Sequence, residues 1–208
     1  ERLAERDGVT VSRETLRQWM IEAGLWKPRR PRRAVHLWRP RRSAFGELVQ
    51  MDTSEHAWLE GRGEAEPVLV SMIDDATGRQ VKRFFASDTT EANLETLGGW
   101  LRRHGRPLAV YADRNSIFRV NRPVTDAEAR SGREAETQFG RALRQLGIAY
   151  IPASSPQAKG RVERSFQTDQ DRLVKELRLR GIATVEAANA YLEAEYVPML
   201  NRRFTVPA

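Results

Sequence analysis

Three carboxylates stand at places where a chain turns from regular structure into a loop or out of one. Asp52 lies at the end of the run Leu48-Val49-Gln50-Met51-Asp52, and Asp113 ends Leu108-Ala109-Val110-Tyr111-Ala112-Asp113. Glu163 lies in Ser154-Ser155-Pro156-Gln157-Ala158-Lys159-Gly160-Arg161-Val162-Glu163-Arg164-Ser165-Phe166, where Pro156 suits a helix start. Taken singly, the two aspartates are ordinary strand-end residues, and Glu163 is an ordinary charge at a helix N-terminus. Together they describe a different chemistry. If the strands bearing Asp52 and Asp113 are neighbours, all three acids meet, and such a cluster repels itself unless cations neutralise it. Hard divalent ions with oxygen ligands are the natural solution. Two of them about 4 Å apart would activate a water or a 3′-hydroxyl and stabilise the leaving oxygen of a phosphodiester. The chain has no cysteine and no paired-histidine motif, so oxygen-only ligation points to Mg²⁺.

The elements that must position these acids follow from the hydrophobic pattern. Strands are expected over 48–54, 68–74, 80–86, 108–113 and 148–152, with Asp74-Asp75-Ala76-Thr77-Gly78 a tight turn between the second and third. Amphipathic helices are expected over 90–104, with Leu94, Leu97, Trp100 and Leu101 inward, and over 133–146. Residues 114–131 read as irregular. Two helices close the chain, 157–180 and 185–200, separated at Gly181; Val162, Phe166, Leu173 and Leu177 form the apolar stripe of the first. The order βββ-α-β-α-β-α predicts an α/β fold with a five-stranded mixed sheet flanked by helices. Trp58, Trp100 and Trp26 are expected in the core.

Charge divides the chain. Of its net +7, residues 1–45 hold twelve Lys/Arg against five Asp/Glu, and residues 46–208 hold 23 of each. All the excess therefore precedes the strands, which argues for a polyanion-binding arm on a neutral body. Residues 1–26 read as two helical pieces. The second starts after the N-cap Ser12 and ends at Gly24, with Val11, Leu16, Trp19, Met20 and Leu25 apolar and Arg13, Arg17 and Gln18 outward. This suits part of a helix-turn-helix DNA-binding segment, and equally a helical hairpin capping the main domain. Residues 27–45 carry three prolines and eight Lys/Arg, among them Arg29, Arg30, Arg32 and Arg33, as an extended linker fit to lie along phosphates. A localisation or solubilising tract is the plainer alternative. No signal peptide and no run of apolar residues long enough to span a bilayer is present, so no membrane partner and a cytoplasmic location are expected. The chain opens at Glu1 and closes on Thr205-Val206-Pro207-Ala208, and is expected to be a fragment.

Several stretches together carry a family resemblance: Gln50-Met51-Asp52 with Trp58-Leu59-Glu60-Gly61; Ile73-Asp74-Asp75-Ala76-Thr77-Gly78; Tyr111-Ala112-Asp113 with Ser116-Ile117-Phe118-Arg119-Val120-Asn121; and Ser155 to Arg164. Over about residues 1–204 the chain resembles a bacterial insertion-sequence transposase of the ISNCY subgroup, with a retroviral-integrase-type core. The resemblance implies a ribonuclease-H-like fold over 46–204 and a triad of Asp52, Asp113 and Glu163. These residues would bind two Mg²⁺ or Mn²⁺ ions and cut and join double-stranded DNA at transposon ends and target. It also implies a homo-oligomer on DNA, a bacterial, nucleoid-associated location, and flanking modules that are expected to be cut short here. Sixty residues lie between Asp52 and Asp113 and 49 between Asp113 and Glu163. The second interval exceeds the roughly thirty-five of the superfamily motif, the excess falling in 114–131.

Around the triad, Lys159, Arg161 and Arg164 are expected to touch phosphates, and Gln167, one turn beyond Glu163, to meet DNA; solvated charge is the alternative for each. His56 is either a proton relay or an exposed loop residue, and His104 a helix C-terminal residue interacting with the dipole. His36 shows no partner in the pattern. Asp74 and Asp75 are assigned to the turn and left outside the site. Against the active transposase stands a DNA-binding remnant that does no chemistry. A ribonuclease-H-type nuclease is a further option, but it gives no reason for the basic arm.

Overall fold

The computed structural model describes residues 7–26, 40–113, 116–118, 120, 125, 130, 135–153 and 160–208. The expected short first helix over 1–6, the linker residues 27–39 with Arg29, Arg30, Arg32, Arg33 and His36, and Lys159 lie outside them. The chain divides into two compact units at residues 38/39.

In the first unit, helix α1 (Arg13–Glu22) is capped as expected, the Ser12 hydroxyl accepting from Thr15 N at 3.0 Å. Of its apolar residues, Leu16, Met20 and Ile21 are half-buried and Trp19 is 50% exposed, and Leu25 beyond its end is 75% exposed. Trp26, expected in the core, is 47% exposed, lying beyond the end of the helix that would have turned it to an apolar face.

The second unit is a five-stranded sheet in the order β3-β2-β1-β4-β5, built from β1 (Val49–Glu55), β2 (Val68–Asp74), β3 (Gln80–Phe85), β4 (Ala109–Ala112) and β5 (Ala149–Pro152). β1 pairs antiparallel with β2 and parallel with β4, so the sheet is mixed. β2 is buried along its whole length, which explains its almost unbroken apolar run. Helices α2 (Thr90–His104) and α3 (Gln138–Gln145) cover one face. That layer gathers Val49, Met51, Val70, Met72, Val110 and Ala112 with Leu97, Trp100, Phe139 and Leu143. Helices α4 (Gly160–Leu179), α5 (Val185–Tyr191) and α6 (Val197–Phe204) pack on the other face, with Leu69, Ile73, Phe84 and Trp58. Alternation along each strand sorts the residues between these layers.

The last expected helix, 185–200, is longer and is interrupted. A π-helical turn, Leu192–Tyr196, joins α5 to α6. Pro198 follows at once and has no N–H to offer the carbonyl one turn back, so the ladder widens before it. The linker boundary also moves. Arg41 donates to Ala76 O at 2.9 Å, Arg42 N to Asp75 at 2.9 Å, and Phe45 stacks on Trp100 at 6.0 Å. Residues 40–45 are thus part of the sheet domain, where the end of an extended arm was expected.

Candidate catalytic face

The pairing of β1 with β4 decides whether the acids can meet. Val49 lies opposite Val110 and Gln50 opposite Tyr111. Continued two residues past its last pair, this register would bring Asp113, just beyond the end of β4, level with Asp52. Both continue the face of Gln50 and Tyr111, which is the α4 side of the sheet. Each is partly exposed. Across β1 on the other side, Asp52 faces Ser71 of β2. The Tyr150 hydroxyl, reaching from β5, donates to the carbonyl of Asp113 and steadies the end of β4. Ala149 and Ile151, further along the α4 side, are exposed. The aspartates therefore lie where a helix-covered part of the sheet gives way to an exposed strand.

Helix α4 runs beside β1 and is tied to it at two levels. Val162 N, one of the N–H groups that a helix start leaves without an intrahelical partner, donates to Gln50 Oε1 at 3.2 Å. Gln170 Nε2 meets Ser54 Oγ at 3.4 Å. Gln50, Asp52 and Ser54 alternate onto one face of β1, so both neighbours of Asp52 on that face are bonded to α4. Eight helical residues rise about 12 Å and four strand residues about 13 Å, so helix and strand keep step. Glu163, in the first turn and partly exposed, then stands roughly 5 Å short of Asp52 along the strand. In agreement with that offset, no group of three His, Asp or Glu among the described residues stands close enough to hold a metal ion. By chemistry alone, the carboxylates of Asp52, Asp113 and Glu163, with no nitrogen or sulfur among them, would suit Mg²⁺ or Mn²⁺.

Two polar networks hold α4. At its start, the wholly buried Asp75 accepts from Gln50 Nε2 at 2.9 Å and from Arg161 Nε at 2.8 Å through one oxygen, and from Arg42 N at 2.9 Å through the other. The assignment of both acids to turn chemistry thus holds for Asp74 alone, which accepts from Thr77 N, Thr77 Oγ1 and Gly46 N. Further along, Lys82 donates to Ser71 Oγ at 3.1 Å, Ser165 Oγ at 2.8 Å and Asp169 Oδ2 at 2.6 Å. Asp169 also accepts from the Tyr196 hydroxyl at 3.1 Å, and Ser165 donates to Gln80 Oε1 at 2.7 Å. Burial pushes the Lys82 ammonium down and the Asp169 carboxyl up, while their mutual attraction draws each back. Three acceptors around the ammonium fit the ionised pair.

The remaining candidates separate. Arg164 and Gln167 are exposed on α4. Arg161 turns inward to Asp75, its side chain 18% exposed. Arg17 spends its guanidinium on Glu14 one turn back. Arg13 is exposed. His56 is exposed and set edge-on to Trp58, 5.2 Å between centroids. His104 is half-buried at the C-terminal end of α2. Its ring lies 4.7 Å from Trp100, and burial first, then Arg79 and Arg103, lower its pKa. Asp75 and the Lys82–Asp169 pair were not legible as site-supporting residues. The one available signal was Asp169 lying seven residues after Val162, on the apolar stripe itself.

No protein-family model matches the sequence. Known structures share its architecture. The intasome of simian T-cell lymphotropic virus in complex with PP2A regulatory subunit B56 gamma superposes at TM-score 0.58 and 16% identity, over 81% of this chain and 52% of that one. The HTLV-2 integrase catalytic core domain in complex with magnesium gives 0.52 and 14%, over 71% and 84%. The fold is that of a retroviral integrase catalytic core. By sequence, the chain is similar to "Putative transposase y4bF" of Sinorhizobium fredii, 51% identical over 207 residues, which are 99% of this chain and 44% of that protein. It is also similar to the transposase for insertion sequence IS1202 of Streptococcus pneumoniae, 33% identical over 238 residues, covering 98% of this chain and 50% of that protein. The chain spans about half the length of these curated relatives. No helix among the described residues is long and apolar enough to cross a membrane.

Proposed function

We propose that this chain carries the catalytic core of a Mg²⁺- or Mn²⁺-dependent DNA transposase, of the ISNCY-like subgroup that its motifs resemble. The observation that supports the reading is the parallel β1–β4 pairing, which, continued past Gln50 and Tyr111, would bring Asp52 and Asp113 to the face that α4 flanks. Relatives named as transposases and the integrase-core fold support it. Asp52, Asp113 and Glu163 would hold the ions. When bound, divalent ions there supply an activated attacking oxygen and charge stabilisation at the scissile phosphate. The chain's own residues orient and bind: Arg164 and Gln167 on the exposed side of α4, and Lys159 before it, engage the DNA backbone, and the basic residues before position 40 add affinity. Partners are transposon-end and target DNA and further copies of the chain, in a bacterial, nucleoid-associated setting.

A second reading, a DNA-binding remnant without chemistry, is favoured by one observation: no three acids among the described residues stand close enough for an ion. Cleavage and joining of end-containing DNA separates the two. With Mn²⁺ or Mg²⁺, activity abolished by Asp52→Asn, Asp113→Asn and Glu163→Gln singly, with DNA affinity kept, supports the transposase. Binding without metal-dependent cleavage, in the full-length protein as well, supports the remnant.

A further inference from the structure

The start of α4 is held by an acid of the β2–β3 turn that lies outside the triad. Asp75 is wholly buried, and among the described residues its carboxylate accepts from Gln50 on β1, Arg161 on α4 and the backbone of Arg42, three separate parts of the chain. Gln50 is bonded at both ends, giving its amide N–H to Asp75 and its carbonyl to Val162 N. The result is a closed link from strand to buried acid to helix and back to strand. Its two helix residues, Arg161 and Val162, immediately precede Glu163. Its strand residue shares a face with Asp52 and lies two positions before it. Removing the acid takes away the acceptor of the Arg161 Nε and of the Gln50 amide together, and leaves the 3.2 Å bond from Val162 N to Gln50 Oε1 to hold the helix start by hydrogen bonding among the described residues.

We propose that Asp75 is a positioning residue, which through Arg161 and Gln50 sets the depth and rotation of the first turn of α4 and so places Glu163 relative to Asp52. The proposal rests on the triad named under Proposed function. It also changes the role of Arg161 from a phosphate contact to a strut. An exposed arginine on a helix start would be free to follow DNA. One whose Nε is committed at 2.8 Å to a buried carboxylate carries structural information instead. Groups that orient metal ligands are worth about 10–100-fold in metal affinity or activity.

The test uses the 208-residue chain and Mn²⁺ itself as probe. Asp75→Asn keeps the shape but offers an N–H where Arg161 or Arg42 N needs an acceptor. Arg161→Gln removes the strut and leaves Asp75 with Gln50 and Arg42, so it stands in if Asp75→Asn does not fold. Mn²⁺ affinity is read by titration, and amide exchange of residues 162–166 is compared with that of β2 and of residues 170–179. Both variants should weaken Mn²⁺ about tenfold or more and speed exchange at the start of α4 while the reference segments keep their protection. A variant that lowers the melting temperature but leaves Mn²⁺ affinity and local exchange unchanged would overturn the proposal. So would an Arg161→Gln protein that loses only DNA affinity. Asp52→Asn is the control for the underlying reading. If it leaves Mn²⁺ binding intact, the ion sits elsewhere, and local exchange alone decides whether Asp75 positions the helix.

Discussion

Replacing Lys82 by Met should be among the most damaging single changes in the sheet domain. The side chains of Lys82 and Asp169 are both fully buried and 2.6 Å apart. With the ammonium removed, the Asp169 carboxylate keeps the Tyr196 hydroxyl as its one donor among the described residues, and Ser71 and Ser165 each lose the Lys82 donor. Breaking a buried pair from one side is worth about 3–5 kcal/mol, because an uncompensated charge stays behind. For a domain of this size each kcal/mol moves the midpoint by about 2–4 °C, so the melting temperature should fall by roughly 6–20 °C. Urea unfolding followed by tryptophan fluorescence measures the same loss, since Trp58 and Trp100 are buried in the two layers. The double variant Lys82→Met/Asp169→Leu should recover most of it, because burying two apolar groups in place of a buried pair is commonly neutral or stabilising. A single-variant loss below about 1 kcal/mol would refute the buried-charge argument, as would a double variant as unstable as the sum of the singles.

Two further outcomes follow from the edges of the structure. Strand β3 is an edge strand whose outward backbone groups are met by side-chain amides: Asn201 pairs with Gln80 N and O at 2.8 and 3.0 Å, and Asn189 with Phe84 N and O at 2.7 and 2.9 Å. Asn189→Ala/Asn201→Ala should cost about 1–3 kcal/mol for each group left unmet and open the edge to pairing with another chain, seen as concentration-dependent association in sedimentation; unchanged stability and association would refute the capping role. His104 is held below its usual 6.5 by burial and by Arg79 and Arg103. The unfolded chain therefore binds the proton more readily, and stability should rise with pH up to about the unfolded value and be lost as pH falls below it. An NMR titration with the His104 midpoint at or above 6.5 would contradict this.

Much of this protein is legible in one dimension. Alternation placed Met51, Val70 and Met72 on one side of the sheet and Leu69 and Ile73 on the other, because the strand period of two is a local property. The helix over 90–104 was legible to the residue, since Thr89 caps it and Gly105 stops it. The three acids could be picked out by type, but Asp52, expected to close its strand, lies in the middle of β1, which runs on to Glu55 because the β2 partners continue to Val68. Whether they share a face could not be picked out, because that depends on β4 lying beside β1 in one register. A one-residue slip would turn Asp113 to the opposite side. The turn acids show the same division. Asp74 does what its local sequence foretells, accepting from Thr77 three residues on. Its neighbour Asp75 has the same residue type and nearly the same local surroundings, yet its partners Gln50 and Arg161 lie 25 and 86 residues away. Lys82 likewise looks like an ordinary strand lysine until α4 brings Asp169 onto it across 87 residues. Periodicity and capping report forces between residues close in sequence. Pairings between distant buried polar groups exist only once folding has removed the water that would otherwise satisfy each of them, and so only the tertiary structure decides them.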